Sequence, residues 1–398
     1  MPDISSVKAS SVMGTYNRFP LSIQRGKGTF VWDTEGKKYL DFTSGIAVCN
    51  LGHAPQYVQS KISEQLETLW HCSNLYTIPV QEELAAHLTK RSSADKVFFC
   101  NSGAEANEAA IKLARKYAND IKGVQNPVIV TFKQSFHGRT LAALSATGQS
   151  KIQKGFAPLL TGFRLLPFND TGALQELNHD GKTCAVLLEM VQGEGGVIPA
   201  DPLWIQELAR SCKEQGILLM VDEVQTGAGR TGSMFAYEHY GISPDVITMA
   251  KGLGSGFPIG AMLAKDEAAK AFEAGSHGST FGGNPLACTA GLATLQYIEE
   301  NNLLEHAAEM SSYLQQQLQA CLSNAGVHAE IRGKGLLLGI VIEEKAAKIA
   351  AEALKHEVLL LTAGPDVVRL LPPLNVSREE IDEFILRFKG ILDTALYS

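Results

Sequence analysis

The sequence predicts an α/β protein with a mainly parallel sheet of the seven-stranded type between helices, and a smaller α+β domain beside it. Between about residues 60 and 275, continuous apolar runs of strand length recur, and helical stretches separate several of them. Strands that are buried on both faces read as continuous apolar runs, and their alternation with helices is typical of a parallel sheet covered on both sides. The length of 398 residues also favours two domains.

The elements of the large domain follow from these runs. The predicted strands and helices are, in chain order, Val97–Cys100, Ala104–Ala118, Val128–Phe132, Ala185–Leu188, Pro202–Gln215, Ile217–Val221 and Val246–Ala250.

The two ends of the chain read differently. Two short strands, within Gly28–Gly36 and Lys37–Phe42, predict a hairpin-like meander near the N-terminus. After about Asn302 the pattern is α+β, with a helix over Leu303–Asn324, strands near Gly335–Ile342 and Val367–Leu371, and a terminal helix from Arg378. We expect an N-terminal segment over residues 1–55 that contributes to the small domain, a large domain over 56–300, and the C-terminal small domain over 301–398.

Composition excludes several classes of function. Lys and Arg number 35 against 42 Asp and Glu, and no basic run occurs, which argues against nucleic acid and anionic membranes as partners. Seven cysteines without a CxxC pair indicate neither a disulfide framework nor a zinc site, and we expect no metal. The N-terminus does not resemble a secretory signal, and no apolar run approaches the ~20 residues of a membrane span. A cytoplasmic location is expected.

Ligands of such sheets bind beyond the carboxyl ends of the strands. The first strand runs into Asn101–Glu108, where Ser102 and Glu105 match a capping box and place the helix start at Gly103. This segment is either an ordinary capped helix or a phosphate site, because free N–H groups and the helix dipole attract an anion.

Two later strands end in Asp222 and Lys251. Asp222 could be an N-cap or an exposed strand end, or the counter-ion of a protonated pyridine nitrogen. Lys251 could be a snorkelling surface residue, but the glycine-rich loop that follows leaves room for an adduct on a desolvated amine. Together with the segment at Ser102, these residues supply the phosphate cradle, ring counter-ion and imine-forming amine that pyridoxal 5'-phosphate (PLP) requires.

The segment Ser135–Thr140 contains further candidates. Phe136 is either a core aromatic or a residue that stacks on a flat ring. Arg139 is either a structural ion-pair partner or a guanidinium that holds a substrate carboxylate. His137 receives no role.

One motif points to another class of enzyme. Gly227–Gly232 satisfies GxGxxG after a strand, but no clear helical opening follows it. We therefore reject an NAD-dependent dehydrogenase, which remains the best alternative outside the PLP class.

Taken together, the motifs resemble those of the fold-type I, class III aminotransferases, most closely the group that acts on N-acetylated ornithine. The resemblance extends from about Tyr16 to the C-terminal helix. Its segments are Gly45–Val48, Leu51–His53, Asn101–Asn107, Phe136–Thr140, Ala146–Gln149, Gln192–Gly196, Asp222–Gly232, Pro244–Asp245, Ala250–Gly254, Phe257–Ala261, His277–Pro285 and Arg369–Leu374.

The resemblance implies a homodimer with shared active sites and PLP as cofactor. Lys251 would hold PLP as a Schiff base and then act as general acid and base, and Asp222 would face the ring nitrogen. The remaining cofactor contacts would be Gln225 at the phenolic oxygen, Phe136 and Val224 on the two ring faces, and Ser102, Gly103 and Ala104 at the phosphate, with Thr280 reaching the phosphate from the other subunit.

The resemblance also implies the substrate contacts. Arg139 would grip a carboxylate far from the reacting amine, while Glu194 neutralises Arg369 until glutamate displaces it. Tyr16 and Ser279 would also contact substrate.

The expected activity is transfer of the δ-amino group of N2-acetylornithine to 2-oxoglutarate. Gly45 leaves space where ornithine δ-aminotransferases carry a tyrosine near this position. Succinylornithine, ornithine, N-succinyl-diaminopimelate and 4-aminobutyrate remain alternative donors, and a semialdehyde aminomutase is the nearest different PLP chemistry. One departure is Met190, where the family usually has proline.

Overall fold

The computed structural model describes residues 11–177 and 179–397. The strands within these residues are β1 (Ile23–Lys27), β2 (Phe30–Asp33), β3 (Lys38–Asp41), β4 (Lys96–Cys100), β5 (Val128–Phe132), β6 (Phe163–Leu166), β7 (Thr183–Glu189), β8 (Val191–Gln192), β9 (Ile198–Pro199), β10 (Leu218–Asp222), β11 (Val246–Met249), β12 (Gly260–Ala264), β13 (Glu330–Lys334), β14 (Leu337–Val341), β15 (Val358–Leu359), β16 (Leu361–Thr362) and β17 (Val367–Leu370).

The helices of the same residues are α1 (Gln56–Leu66), α2 (Pro79–Arg91), α3 (Gly103–Lys116), α4 (Leu141–Ala146), α5 (Ser150–Gln153), α6 (Pro202–Gln215), α7 (Asp266–Ala269), α8 (Pro285–Glu300), α9 (Leu303–Asn324), α10 (Ala346–Lys355) and α11 (Arg378–Tyr397). None of the helices in this described part combines the length and apolarity needed to cross a membrane.

The central sheet has seven strands in the order β4-β12-β11-β10-β7-β5-β6. Five of them, from β11 to β6, run parallel, while β12 is antiparallel to both of its neighbours. Strands β7, β10 and β11 are buried along their whole length, as their continuous apolar sequences require. The predicted fold class is therefore confirmed.

Helix α6 shows how local sequence sets an element that covers the sheet. The Asp201 side chain accepts hydrogen bonds from the N–H groups of Leu203 and Trp204, Pro202 occupies the first turn, and Gly216 ends the helix at φ 65°. The buried Trp204 ring then packs edge-on against Phe132 of β5 with centroids 5.1 Å apart. The predicted bounds of this helix are confirmed.

Both ends of the chain contribute to one of the small sheets. β3 pairs in parallel with β15, so that an N-terminal strand and a C-terminal strand share one sheet. The rings of Phe42 and Phe384 stack with centroids 4.2 Å apart and join the N-terminal segment to α11. This pairing agrees with a small domain made from both ends, although the boundaries at residues 55 and 300 stay a prediction.

Some elements lie outside the predicted set, among them β6, β12 and helices α1, α2 and α8. The predicted strand Val246–Ala250 ends one residue earlier, at Met249. After Gly232 the chain forms turns and then a short 3₁₀ helix over Ala236–Tyr240, so GxGxxG opens no α-helix and the dehydrogenase reading lacks its structural context.

Candidate active site

A cavity of ≈ 630 Å³ opens at the carboxyl ends of β4, β7, β10 and β11. This is the edge where a parallel sheet binds its ligands. Ten of the predicted site residues line it, namely Tyr16, Ser102, Gly103, Ala104, Phe136, Arg139, Asp222, Val224, Gln225 and Lys251.

The Asp222 carboxylate is buried and fully hydrogen-bonded. Its Oδ2 lies 2.8 Å from both Asn107 Nδ2 and His137 Nδ1, and its Oδ1 accepts the N–H of Val224 at 3.0 Å. Three partners on three segments fix the plane and direction of the carboxylate, since a buried carboxylate needs such partners. The sequence reasoning gave no role to His137 and did not single out Asn107, because their pairing with Asp222 exists only in the folded chain.

Lys251 follows β11 and begins a short 3₁₀ turn, Lys251–Leu253, with its own φ at 43°. A left-handed conformation is unusual for a residue with a side chain, and such residues cluster at functional sites. Burial lowers the pKa of the Lys251 ammonium; the charge of Glu194 acts in the opposite direction and that of Arg369 in the same one. A Cβ at Gly252 would lie 2.2 Å from Asn50 Nδ2, so the tight turn requires glycine here.

The N-terminus of α3 forms the opposite wall. Ser102 is its N-cap, and Ser102 Oγ accepts the N–H of Glu105 at 3.2 Å, which confirms the predicted start at Gly103. A capping box also requires the Glu105 side chain to accept the N–H of the N-cap residue Ser102. This part of the prediction is wrong, because the Glu105 carboxylate accepts the N–H of Asn101 instead, at 2.6 Å. The first N–H groups of the helix have no intrahelical partner and can bind an anion.

Phe136 and Val224 both line the cavity beside this helix, and the space that they border is called the slot below. A Cβ on Gly103 would lie 2.6 Å from Val224 Cγ1, so glycine is needed for Val224 to approach. Phe136 also lines the cavity, and the guanidinium carbon of Arg139 lies 5.8 Å from the centre of its ring. Arg139 is exposed, with its charge available to a ligand.

Glu194 and Arg369 form an ion pair next to the cavity rather than in its lining. Arg369 Nη1 lies 2.5 Å from Glu194 Oε1, and Gln225 Nε2 lies 3.3 Å from the same oxygen. Burial disfavours the Glu194 carboxylate, but the charge and hydrogen bond of Arg369 outweigh this cost and lower the pKa of Glu194. The Nε of Arg369 is buried and has no hydrogen-bond partner among residues 11–177 and 179–397.

Ser279 and Thr280 do not join the residues around Lys251. They line a second cavity of ≈ 360 Å³ together with Asn101 and Glu105. Asn101 borders both cavities, and its Nδ2 lies 3.3 Å from Ser279 Oγ. Within one chain the two predicted sites are therefore neighbours and not one site.

Glu189 is a third residue that sequence reasoning missed. It lies at the end of β7, lines the Lys251 cavity and is buried. Burial raises the pKa of its carboxyl to about 7. In the sequence, Glu189 was noted only as the residue before the unexpected Met190, and it was assigned no role.

Lys251, the buried Asp222 and the N-terminus of α3 thus lie around one cavity. The chain belongs to the class III aminotransferases, whose family description, Aminotransferase class-III, matches residues 12–392. This family is PLP-dependent, and the predicted membership is confirmed.

The chain is similar to the acetylornithine aminotransferase of Oceanobacillus iheyensis, at 56% identity over 388 residues and 97% of each chain. It is also 51% identical to the acetylornithine aminotransferase of Bacillus subtilis over 380 residues, covering 96% of this chain and 97% of the relative.

Among solved structures, ornithine aminotransferase from Toxoplasma gondii ME49 aligns with a TM-score of 0.93 at 30% identity, covering 96% of this chain and 93% of the other. N-acetylornithine aminotransferase from Stenotrophomonas maltophilia aligns with a TM-score of 0.84 at 37% identity, covering 95% and 97%.

Proposed function

We propose that the chain transfers the δ-amino group of N2-acetyl-L-ornithine to 2-oxoglutarate with PLP as cofactor, a step of arginine biosynthesis. The products are N-acetyl-L-glutamate 5-semialdehyde and L-glutamate. The observation that carries the proposal is that Lys251, Asp222 and the N-terminus of α3 line one cavity. The identity to acetylornithine aminotransferases supports the choice of donor.

The residues of the cavity fit PLP in charge and in shape. The N–H groups of Gly103 and Ala104, with Ser102, would hold the phosphate, and the Asp222 carboxylate would pair with the ring nitrogen. Phe136 and Val224 would contact the two ring faces, Gln225 the phenolic oxygen, and Lys251 Nζ the aldehyde. When bound, PLP supplies an aldehyde that exchanges amino groups and a ring that withdraws electrons.

Lys251 has a second task in this proposal. As a free amine, Lys251 Nζ would take the proton from the substrate carbon that bears the amino group. A general base works best when its pKa lies near the operating pH, and burial moves the pKa of Lys251 in that direction. Asp222, fixed by Asn107 and His137, would hold a proton on the ring nitrogen.

Arg139 and Arg369 bind different carboxylates of the two substrates. With acetylornithine, Arg139 binds the carboxylate and Glu194 keeps Arg369 neutralised. With glutamate, the α-carboxylate takes the place of Glu194 on Arg369, while Arg139 takes the γ-carboxylate. The exchange is feasible because substrate charge replaces the lost partner of a buried guanidinium.

The active unit of the proposal is a homodimer. Thr280 lies outside the Lys251 cavity of its own chain, which supports its assignment to the phosphate of a second subunit. Ser279 beside it and Tyr16 at the exposed mouth would complete the substrate site.

A panel of half-reactions tests the donor. PLP-loaded protein is mixed with acetylornithine, succinylornithine, ornithine or 4-aminobutyrate, and the loss of the visible cofactor band is followed. Acetylornithine is expected to react with the highest kcat/KM. A faster reaction with ornithine or 4-aminobutyrate would overturn the donor but leave the cofactor site standing, and a protein that gains no visible band with PLP would overturn both.

A further inference from the structure

Glu189 connects the loop that carries Phe136 to the loop that carries Gly193. Its Oε1 accepts the N–H of Phe136 at 2.8 Å, and its Oε2 accepts the N–H of Gly193 at 3.2 Å. The side chain is 5% exposed, so neither hydrogen bond competes with bulk water. A carboxylate can serve both N–H groups because it has two accepting oxygens and no donor.

The Gly193 end of this connection leads directly to Arg369. Arg369 Nη1 donates to the carbonyl oxygen of Gly193 at 2.8 Å as well as to Glu194. One peptide segment is therefore held by Glu189 through its N–H and by Arg369 through its C=O. A shift of this segment moves the carbonyl that positions the guanidinium.

The two loops also pack without space between them. A Cβ on Gly195 would lie 2.5 Å from the carbonyl oxygen of Gln134, and Gln192 Nε2 donates to the carbonyl of Lys133 at 2.9 Å. The loop that carries Glu194 thus rests on the loop that carries Phe136. Contacts of this density transmit small displacements.

We propose that Glu189 is a positioning residue that couples the placement of Phe136 to the placement of Arg369. The proposal rests on the proposed function, in which Phe136 contacts the cofactor and Arg369 contacts a carboxylate. Glu189 itself touches neither reactant. Its two hydrogen bonds set the distance between the cofactor slot and the carboxylate site.

Glu189→Gln tests this coupling, because an amide keeps one accepting oxygen and turns a donor toward the second N–H. The loss of one of the two hydrogen bonds allows the loops to shift, and the expected effect on each dissociation constant is roughly tenfold. We expect Glu189→Gln to weaken both the binding of PLP and the binding of glutarate, a dicarboxylate probe, to the PLP-free protein.

Glu223→Gln is the matched control. Glu223 is also a buried carboxyl and directly follows β10, and it accepts the N–H of Tyr237 and the hydroxyl of Thr226, which belong to neither loop. Burial raises the pKa of both glutamates to about 7, so the two substitutions remove similar groups. The control variant is expected to shift the unfolding midpoint but neither dissociation constant.

A double-mutant cycle on glutarate affinity completes the test. Glu189→Gln and Glu194→Gln act on one peptide segment. The glutarate dissociation constant of the double variant should therefore differ by at least about threefold from the value expected if the two single effects were independent. For the pair Glu223→Gln and Glu194→Gln, the fold-change in the double variant should equal the product of the two single fold-changes. Equal losses in the Glu189 and Glu223 variants, or independent effects in the first pair, would overturn the coupling. Because glutarate binding needs neither PLP nor turnover, these outcomes are separate from failure of the proposed reaction.

Discussion

Arg369 Nη1 and Glu194 Oε1 lie 2.5 Å apart, with the guanidinium buried and the carboxylate partly open to solvent. The pair spans 175 residues of sequence and joins a β17 side chain to the loop after β8. Truncating one partner of such a pair leaves an uncompensated buried charge. We therefore predict that the pair opens when another anion takes the place of Glu194.

Glu194→Gln should affect the two half-reactions unequally. Without Glu194, Arg369 stays cationic and attracts the carboxylate of acetylornithine to the wrong position, while glutamate still finds its partner. We expect kcat/KM for acetylornithine to fall by about tenfold or more and that for glutamate to change less. Stopped-flow half-reactions measure both. Glu207→Gln, which breaks a 2.5 Å ion pair with Arg210 on the surface of α6, is the control, and equal losses in the two half-reactions would contradict the switch.

Arg139→Lys should raise KM for both substrates. A lysine keeps the charge but loses the planar fork that binds a carboxylate through two hydrogen bonds. The expected rise is about tenfold or more, with a smaller change in kcat. Arg378→Lys is the control, because Arg378 also lies over an aromatic ring, that of Tyr313, but outside the cavity. An unchanged KM for both substrates would remove Arg139 from the substrate site.

Gly103→Ala should weaken PLP binding. The new Cβ would lie 2.6 Å from Val224 Cγ1, so that Val224 must move away from the slot. Overpacking of this kind costs about 1–3 kcal/mol, which corresponds to roughly tenfold in the dissociation constant of PLP. Equilibrium titration of the PLP-free protein measures it. Gly14→Ala, where a Cβ would meet none of the described residues within 4 Å, should bind PLP as the parent does.

The stability of the PLP-free protein should depend on pH through Glu223. Burial raises the pKa of its carboxyl from 4.5 to about 7. Between these values the folded chain holds a proton that the unfolded chain has released, so this contribution to stability is lost as pH rises from about 4.5 to about 7. Its size is on the order of 1–3 kcal/mol.

Urea unfolding at about pH 5 and pH 7.5 checks this sign. Glu223→Gln removes the titrating group, so its stability should fall less over this interval than that of the parent. Identical pH dependence in the two proteins would show that Glu223 does not carry the effect.

Local sequence signals were sufficient to predict the helices that carry capping residues and the strands that are buried on both faces of the sheet. The predicted bounds of α6 match the structure, in which Asp201, Pro202 and Gly216 mark its two ends. Strand β12 was missed because Gly260–Ala264 is short, follows a proline and runs antiparallel to its neighbours. A prediction based on strands that alternate with helices does not identify a strand of this kind.

The site was predictable where its residues end strands and not where they meet across the fold. Asp222 and Lys251 could be placed at one sheet edge because parallel strands end together. The contact of His137 with Asp222 spans 85 residues, and no feature of either segment indicates it. Glu189 poses the same problem, since its role depends on two loops that come together only in the folded protein.

Borohydride reduction of the PLP-loaded protein, followed by peptide mapping, tests the central claim most directly. The visible band should disappear, and the pyridoxyl mass should reside on the peptide that contains Lys251. Lys251→Ala should show neither the band nor the label, whereas Lys265→Ala, which removes a lysine paired with Asp245, should keep both. A label on another lysine, or a reducible band that persists in Lys251→Ala, would contradict the assignment of Lys251 as the residue that holds the cofactor.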